Sequence, residues 1–158
     1  MKHDQGNLLV VDDNQLNRNL LVRRVKRQGH MTSSASDGFQ ALEMVRNESF
    51  DLVLLDIMMP QMNGYQVLET IKTDSGLRHI PVIMISAVDD IESMVRCIEL
   101  GAEDYLSKPF VTEILKARIN ACLEKKRLRD QERAYIKQLA EEQEKSESLL
   151  LNILPAPI

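Results

Sequence analysis

The residues that could do chemistry stand at the ends of short apolar runs. Asp12-Asp13 follow Leu8–Val11, and Asp56 ends Leu52–Asp56. Ser86 ends Val82–Ser86, and Lys108-Pro109 follow Asp104–Ser107. If these runs are neighbouring strands, three carboxylates, one hydroxyl and one ammonium converge on one pocket. Carboxylates at ~4 Å and an effective dielectric of ~20 repel by about 4 kcal/mol per pair, so such a pocket needs positive charge. A hard divalent cation with oxygen ligands supplies it, and Mg²⁺ takes one or two carboxylates plus waters. Lys108 adds a second charge. An Asp held beside such a cation and a Lys is a plausible nucleophile toward phosphorus, giving an aspartyl-phosphate. The cations then stabilise charge on the transferring oxygens, and the Ser86 hydroxyl meets one of them.

Each residue alone has an ordinary explanation. Asp-Asp after a strand is also a turn, with Asp13 or Asn14 capping the next helix. Asp56 alone is a loop acid, Ser86 alone a cap, Lys108 alone a surface charge. Their joint placement at four strand ends is what points to chemistry. Rival phosphate sites are missing from the sequence: it has neither GxxxxGK[ST] nor GxGxxG. A flavin site needs a neutral or hydroxyl-rich first loop, and this one has two acids.

The elements that must position these residues follow from hydrophobic periodicity. Met31–Ala35 completes a set of five strands. Leu52–Asp56 and Val82–Ser86 are apolar almost throughout, as expected of parallel strands covered on both faces. Helical spacing predicts Gln15–Gln28 (stopped at Gly29), Phe39–Asn47 (after the Asp37-Gly38 turn), Gly64–Thr73 and Ile91–Leu100 (stopped at Gly101). A last helix starts near Thr112, with no stop before Pro155. Five strand–helix repeats predict an α/β fold, a doubly wound parallel sheet with a C-terminal helix. Ligands of such sheets bind outside the carboxyl ends of the strands, where the acids stand.

Composition agrees. The chain has 158 residues, 44% apolar and 28% charged, enough for one globular domain plus an appendage. No apolar run reaches the ~18 residues of a membrane span, and MKHDQG does not start a signal peptide. Cys97 and Cys122 lack metal-ligand spacing and are read as reduced thiols of a cytoplasmic protein. The formal charge is −4: residues 1–123 hold 13 basic and 17 acidic side chains, and residues 124–158 hold seven of each. No one-sided basic stripe marks a nucleic-acid binder.

The pieces LLVVDDNQLNR, FDLVLLDIMMPQMNGYQVL, IPVIMISA and GAEDYLSKPF, in that order, resemble the CheY-like receiver domains of two-component response regulators. The resemblance covers essentially residues 6–123. It implies a five-stranded sheet in order 2-1-3-4-5 with five helices, and a sensor histidine kinase or phosphotransfer protein as partner. It implies Asp56 as phospho-acceptor and Mg²⁺ as cofactor, held by Asp13 directly, Asp12 through water, Asp56 and the Met58 backbone carbonyl. Ser86 and Lys108 would bind phosphoryl oxygens. Ala87 would leave the site accessible, Tyr105 would be the switch partner of Ser86, and Lys108-Pro109 would be joined by a cis peptide. Receivers that pair through the faces of the fourth and fifth helices suggest a homodimer, with Arg96, Glu99, Asp104 and Arg118 there.

Residues 124–158 form a second region, a charge-balanced helical linker without glycine and without proline before Pro155. One heptad frame aligns Ile114, Ala121, Leu128, Tyr135, Glu142 and Leu149 with Arg118, Lys125, Glu132, Leu139, Ser146 and Ile153. Five of these twelve sites are polar, so a coiled-coil seam there is weak. KSESLLLNILPAPI resembles the segment preceding the catalytic domain of class III nucleotide cyclases. That implies a non-enzymatic receiver and linker whose phosphorylation controls an output domain beyond Ile158. The alternatives are a stand-alone or differently coupled receiver, or a small aspartyl-phosphate phosphatase. The last is disfavoured because its nucleophile normally follows the first strand.

Overall fold

The computed structural model describes residues 5–87 and 90–153. Five strands and five helices alternate: β1 (Asn7–Val11), α1 (Gln15–Arg27), β2 (Met31–Ala35), α2 (Gly38–Asn47), β3 (Leu52–Asp56), α3 (Gly64–Thr73), β4 (Val82–Ser86), α4 (Ile91–Glu99), β5 (Asp104–Ser107) and α5 (Thr112–Ile153). All strands pair in parallel, in the order β2-β1-β3-β4-β5. This is the doubly wound α/β sheet that the alternation of elements predicts, with helix bounds shifted by a residue at a few ends.

Strand alternation sorts the core into two layers. Leu9, Val11, Val53, Leu55, Val82 and Met84 face α2, α3 and α4, where Ala41, Leu42, Val67, Leu68, Ile71 and Cys97 meet them. Leu8, Val10, Leu52, Leu54, Ile83 and Ile85 face α1 and the first turns of α5, against Leu21, Val25, Leu115, Ile119 and Cys122. Every residue of β3 and β4 is buried, because both faces carry a helix layer. Side chains on one strand alternate between the layers. The even parity of Leu8 and Val10 leads to Asp12, that of Leu52 and Leu54 to Asp56, and that of Leu106 to Lys108. Ser86 and Tyr105 have the parity of the opposite layer.

Local signals set the helix starts. Asn14, not Asp13, caps α1, its side chain accepting the Asn17 N–H at 3.0 Å. Asp37 caps α2, so the helix begins at Gly38, one residue before the expected Phe39. Asn63 and Gln66 form a reciprocal capping box on α3. Gly29 and Gly101 adopt φ of +94° and +105°, the left-handed stops expected after α1 and α4.

The chain divides into two units, residues 1–126 and 127–158. In the first, Lys126 pairs with Asp51 at 3.7 Å, and Asp51 in turn accepts the Asn7 N–H at 2.8 Å. Among its described residues, the second is the remainder of α5. Its Leu128, Tyr135, Ile136, Leu139, Leu149, Leu150 and Leu151 are all exposed. Pro155, the expected helix stop, and the rest of the LPAPI ending lie outside the described residues.

Candidate functional site: an acidic pocket at the sheet's carboxyl edge

The parallel sheet brings the ends of β1, β3 and β5 to one edge. Carboxylate oxygens of Asp12, Asp13 and Asp56 lie within 4.8 Å of one another. Asp12 is buried at 2% exposure and Asp56 at 7%, whereas Asp13 is exposed. Lys108 is the cation they share. Its Nζ donates to Asp12 Oδ2 at 3.0 Å and lies 3.6 Å from Asp56 Oδ1. The Lys108 N–H donates to the Ser86 carbonyl at 2.7 Å, so the backbone just past β5 is tied to β4. The Lys108-Pro109 peptide is cis.

Asp12 is held from several sides. Its Oδ1 accepts the Asn14 N–H at 2.9 Å, and its main-chain carbonyl accepts from Arg18 Nη1 at 2.8 Å. Its N–H reaches the Ala35 carbonyl at 3.2 Å. Sequence reasoning passed over Arg18. The usable signal is a cation one helical turn after a helix cap, within reach of the loop before it.

Burial raises the Asp56 carboxyl from its ordinary value near 3.8 to about 6. Lys108 opposes that rise, Asp12 and Asp13 add to it by like-charge repulsion, and the Met58 N–H opposes it by a hydrogen bond. The group is therefore ionised at neutral pH but held at a cost. A carboxylate with raised basicity facing a cationic Lys is the environment expected of a nucleophile.

Close packing fixes the loop after β3. A Cβ on Gly64 would lie 2.3 Å from the Asp56 carbonyl oxygen and 2.7 Å from Ile57 Cα, so only glycine fits. The Gly64 N–H donates to the Ile57 carbonyl at 2.8 Å. Between them, Gln61 takes φ of +68°, and Met58 is exposed.

Ser86 is fully buried, and Tyr105 is 8% exposed. β4 and β5 pair Met84 with Tyr105 and Ser86 with Ser107, which puts Ser86 and Tyr105 diagonally adjacent on one face. Their side chains are hydrogen-bonded; burial raises the phenol pKa, and the bond from Ser86 opposes it. The Tyr105 ring thus packs in the layer of α2, α3 and α4, with Cys97. Ala87 is exposed, and with Pro109 it lines a cleft of about 420 Å³ beside Asp12 and Lys108, walled by Leu20 and Phe110. The Arg24 guanidinium stacks 5.6 Å from the Phe110 ring centroid.

Three of the four charges expected on a pairing face are engaged within the chain. Arg96 stacks on the Tyr65 ring at 4.0 Å, and Arg118 pairs with Asp104 at 3.1 Å. Glu99 is exposed.

This fold, with an acidic pocket at its carboxyl edge facing a Lys after β5, is the receiver fold. The model of the response regulator receiver domain matches residues 8–120, and the chain belongs to that family. Receiver domains bind Mg²⁺ at an acidic pocket and act with histidine kinases or phosphotransfer partners. The chain is 41% identical over 119 residues to the "Probable transcriptional regulator ycf27" of Cyanidium caldarium, covering 75% of this chain and 47% of that protein. It is 40% identical over 114 residues to the response regulator PleD of Caulobacter vibrioides, covering 72% of this chain and 25% of that one. The receiver domain of the Francisella response regulator 1452 superposes with a TM-score of 0.71 at 29% identity, covering 76% of this chain and 98% of that one. The chain thus spans half or less of the length of these two full-length relatives. Among the described residues, no helix is long and apolar enough to cross a membrane.

Proposed function

We propose that this chain is the phospho-accepting part of a cytoplasmic two-component response regulator, with Asp56 as the acceptor. The supporting observation is the buried Asp56 carboxylate, raised to about 6, flanked by Asp12 and Asp13 and facing Lys108 at 3.6 Å. One Asp56 oxygen attacks the phosphorus of a phosphohistidine on a kinase or phosphotransfer protein. The O–P bond forms as the P–N bond breaks, and the donor imidazole leaves and takes up a proton. Lys108 reaches the transferred group's oxygens. The Ser86 hydroxyl turns toward one of them and exchanges its bond to Tyr105 for it.

The donor set suits Mg²⁺: three carboxylates, all oxygen, two of them buried, with one ammonium to balance them. Asp13, Asp56 and the Met58 carbonyl would hold the ion directly and Asp12 through water. When bound, it supplies positive charge to the phosphoryl oxygens.

The output is read as a class III nucleotide cyclase, controlled through a homodimer of α5. Exposed Leu149–Leu151 support a junction to a further folded part. The dimer reading is supported by exposed Ile91, Val95 and Ile98 of α4, an apolar face at helical spacing, and by exposed Ile114 of α5. Neither nucleic acid nor membrane is needed as a partner. Acetyl phosphate or beryllofluoride with Mg²⁺ should modify or occupy Asp56, read by intact mass or by amide NMR. Equal labelling of Asp56→Asn would refute the assignment. Sedimentation as a monomer at tens of micromolar, with and without the mimic, would refute the dimer. A natural chain that continues into a DNA-binding domain would refute the cyclase reading and leave the receiver reading intact.

A further inference from the structure

We propose that Arg18 is a positioning residue for the acidic pocket, holding the Asp12–Asp13 peptide so that Asp13 can serve a divalent cation. The inference rests on the reading of the pocket as a Mg²⁺ site. Arg18 lies in the first turns of α1, where its N–H donates to the Asn14 carbonyl at 2.9 Å. From there its Nη1 reaches back to the Asp12 carbonyl at 2.8 Å. That carbonyl stands one residue beyond the β1 ladder, which ends at Val11.

The Asp12 side chain has its own anchors, with Oδ1 on the Asn14 N–H and Oδ2 on Lys108. Asp13 is exposed and shares none of these bonds. Its place within 4.8 Å of the other two acids is therefore set by the backbone that leads into it. A peptide unit is planar, so holding the Asp12 carbonyl also fixes the Asp13 N–H and the direction in which its Cα leaves. Arg18 acts on the metal ligand through this plane without touching the ligand.

The sign of the effect separates positioning from charge. A guanidinium beside the pocket repels a cation, so by Coulomb's law alone its removal tightens Mg²⁺ binding. A positioning role predicts the opposite. Partners that orient a ligand typically contribute a factor of about 10 to 100 in metal affinity.

The test is a Mg²⁺ titration of the full chain, followed by amide shifts or calorimetry, in the parent, Arg18→Met, Arg18→Lys and Arg23→Met. Arg23 is exposed on the same helix, so its variant removes a positive charge without touching the pocket. Arg18→Met should weaken binding about tenfold. Arg18→Lys, with its charge and one donor kept, should weaken it less, and Arg23→Met should match the parent. Melting in chelator, with Arg18→Met close to the parent, shows that the loss is not unfolding; Arg18→Lys gives the same comparison at a smaller perturbation. Parental or tighter binding by Arg18→Met overturns the role of Arg18 alone. A parent that takes up no Mg²⁺ at millimolar concentration overturns the metal site and this inference together.

Discussion

Replacing Asp56 by Asn should make the metal-free protein more stable at neutral pH. The folded state raises this carboxyl from 3.8 to about 6, chiefly by burial and against the pull of Lys108. At 1.36 kcal/mol per tenfold change in proton affinity, holding it ionised costs the fold about 3 kcal/mol. For an acid with a raised folded pKa, that cost is fully present above about pH 6. It shrinks as pH falls from 6 toward 3.8, because the folded form then takes up its proton first, and it is gone below 3.8. Asn has nearly the shape of the protonated acid and no charge. It also leaves Lys108 its 3.0 Å bond to Asp12. Urea denaturation of parent and Asp56→Asn in chelator, from pH 7.5 to 4, measures the difference. The variant should be more stable by about 3 kcal/mol at pH 7.5, and the gap should close by about pH 4. A variant less stable than the parent at pH 7.5, or a gap independent of pH, would refute burial as the dominant cause.

Other outcomes follow from the same geometry. Lys108→Met removes the cation that holds Asp56 down, so the Asp56 carboxyl should titrate at higher pH than in the parent, as seen by carboxyl ¹³C NMR. An unmoved or lowered titration would contradict the 3.6 Å pairing. Gly64→Ala puts a methyl 2.3 Å from the Asp56 carbonyl. It should cost at least ~2 kcal/mol by urea denaturation, within the range for overpacked sites; a neutral result would mean that the loop after β3 yields easily. Cys97 and Cys122 are buried, with thiols pushed up to about 11. Both should resist a thiol-specific disulfide reagent at pH 8 until the chain is unfolded, since the thiolate is the reactive form; rapid labelling of the native chain would show that α4 or α5 opens readily.

Much of the architecture was legible because it is written in local, periodic signals. The apolar runs of β3 and β4 demand cover on both faces, and the turn glycines after α1 and α4 need φ values that other residues avoid. Those signals depend on neighbours in sequence, and the structure reproduces them to within about a residue. The chemistry-bearing residues were legible for a related reason: a parallel sheet sends every strand end to one edge. Asp12, Asp56, Ser86 and Lys108 could thus be gathered without knowing a distance.

What the line of residues could not express is which of two like neighbours does what. Asp12 and Asp13 are chemically the same, yet Asp12 is 2% exposed and held by Asn14, Arg18 and Lys108, while Asp13 faces solvent. Strand parity, set by the packing of two helix layers, decides that. The engagement of Arg96 on Tyr65 and of Arg118 on Asp104 could not be read either, since each joins separate elements. Tyr105 is the clearest case. The family resemblance implies it as the partner of Ser86, but only the packing of α4 against β5 sets its ring in the layer of α2, α3 and α4 with Cys97. Composition and spacing thus determined the strands, the edge and the polar groups gathered at it. Burial and contacts between distant segments decided the basicity of Asp56, the anchoring of Asp12 and the place of Tyr105, because desolvation and packing exist only once the layers have closed.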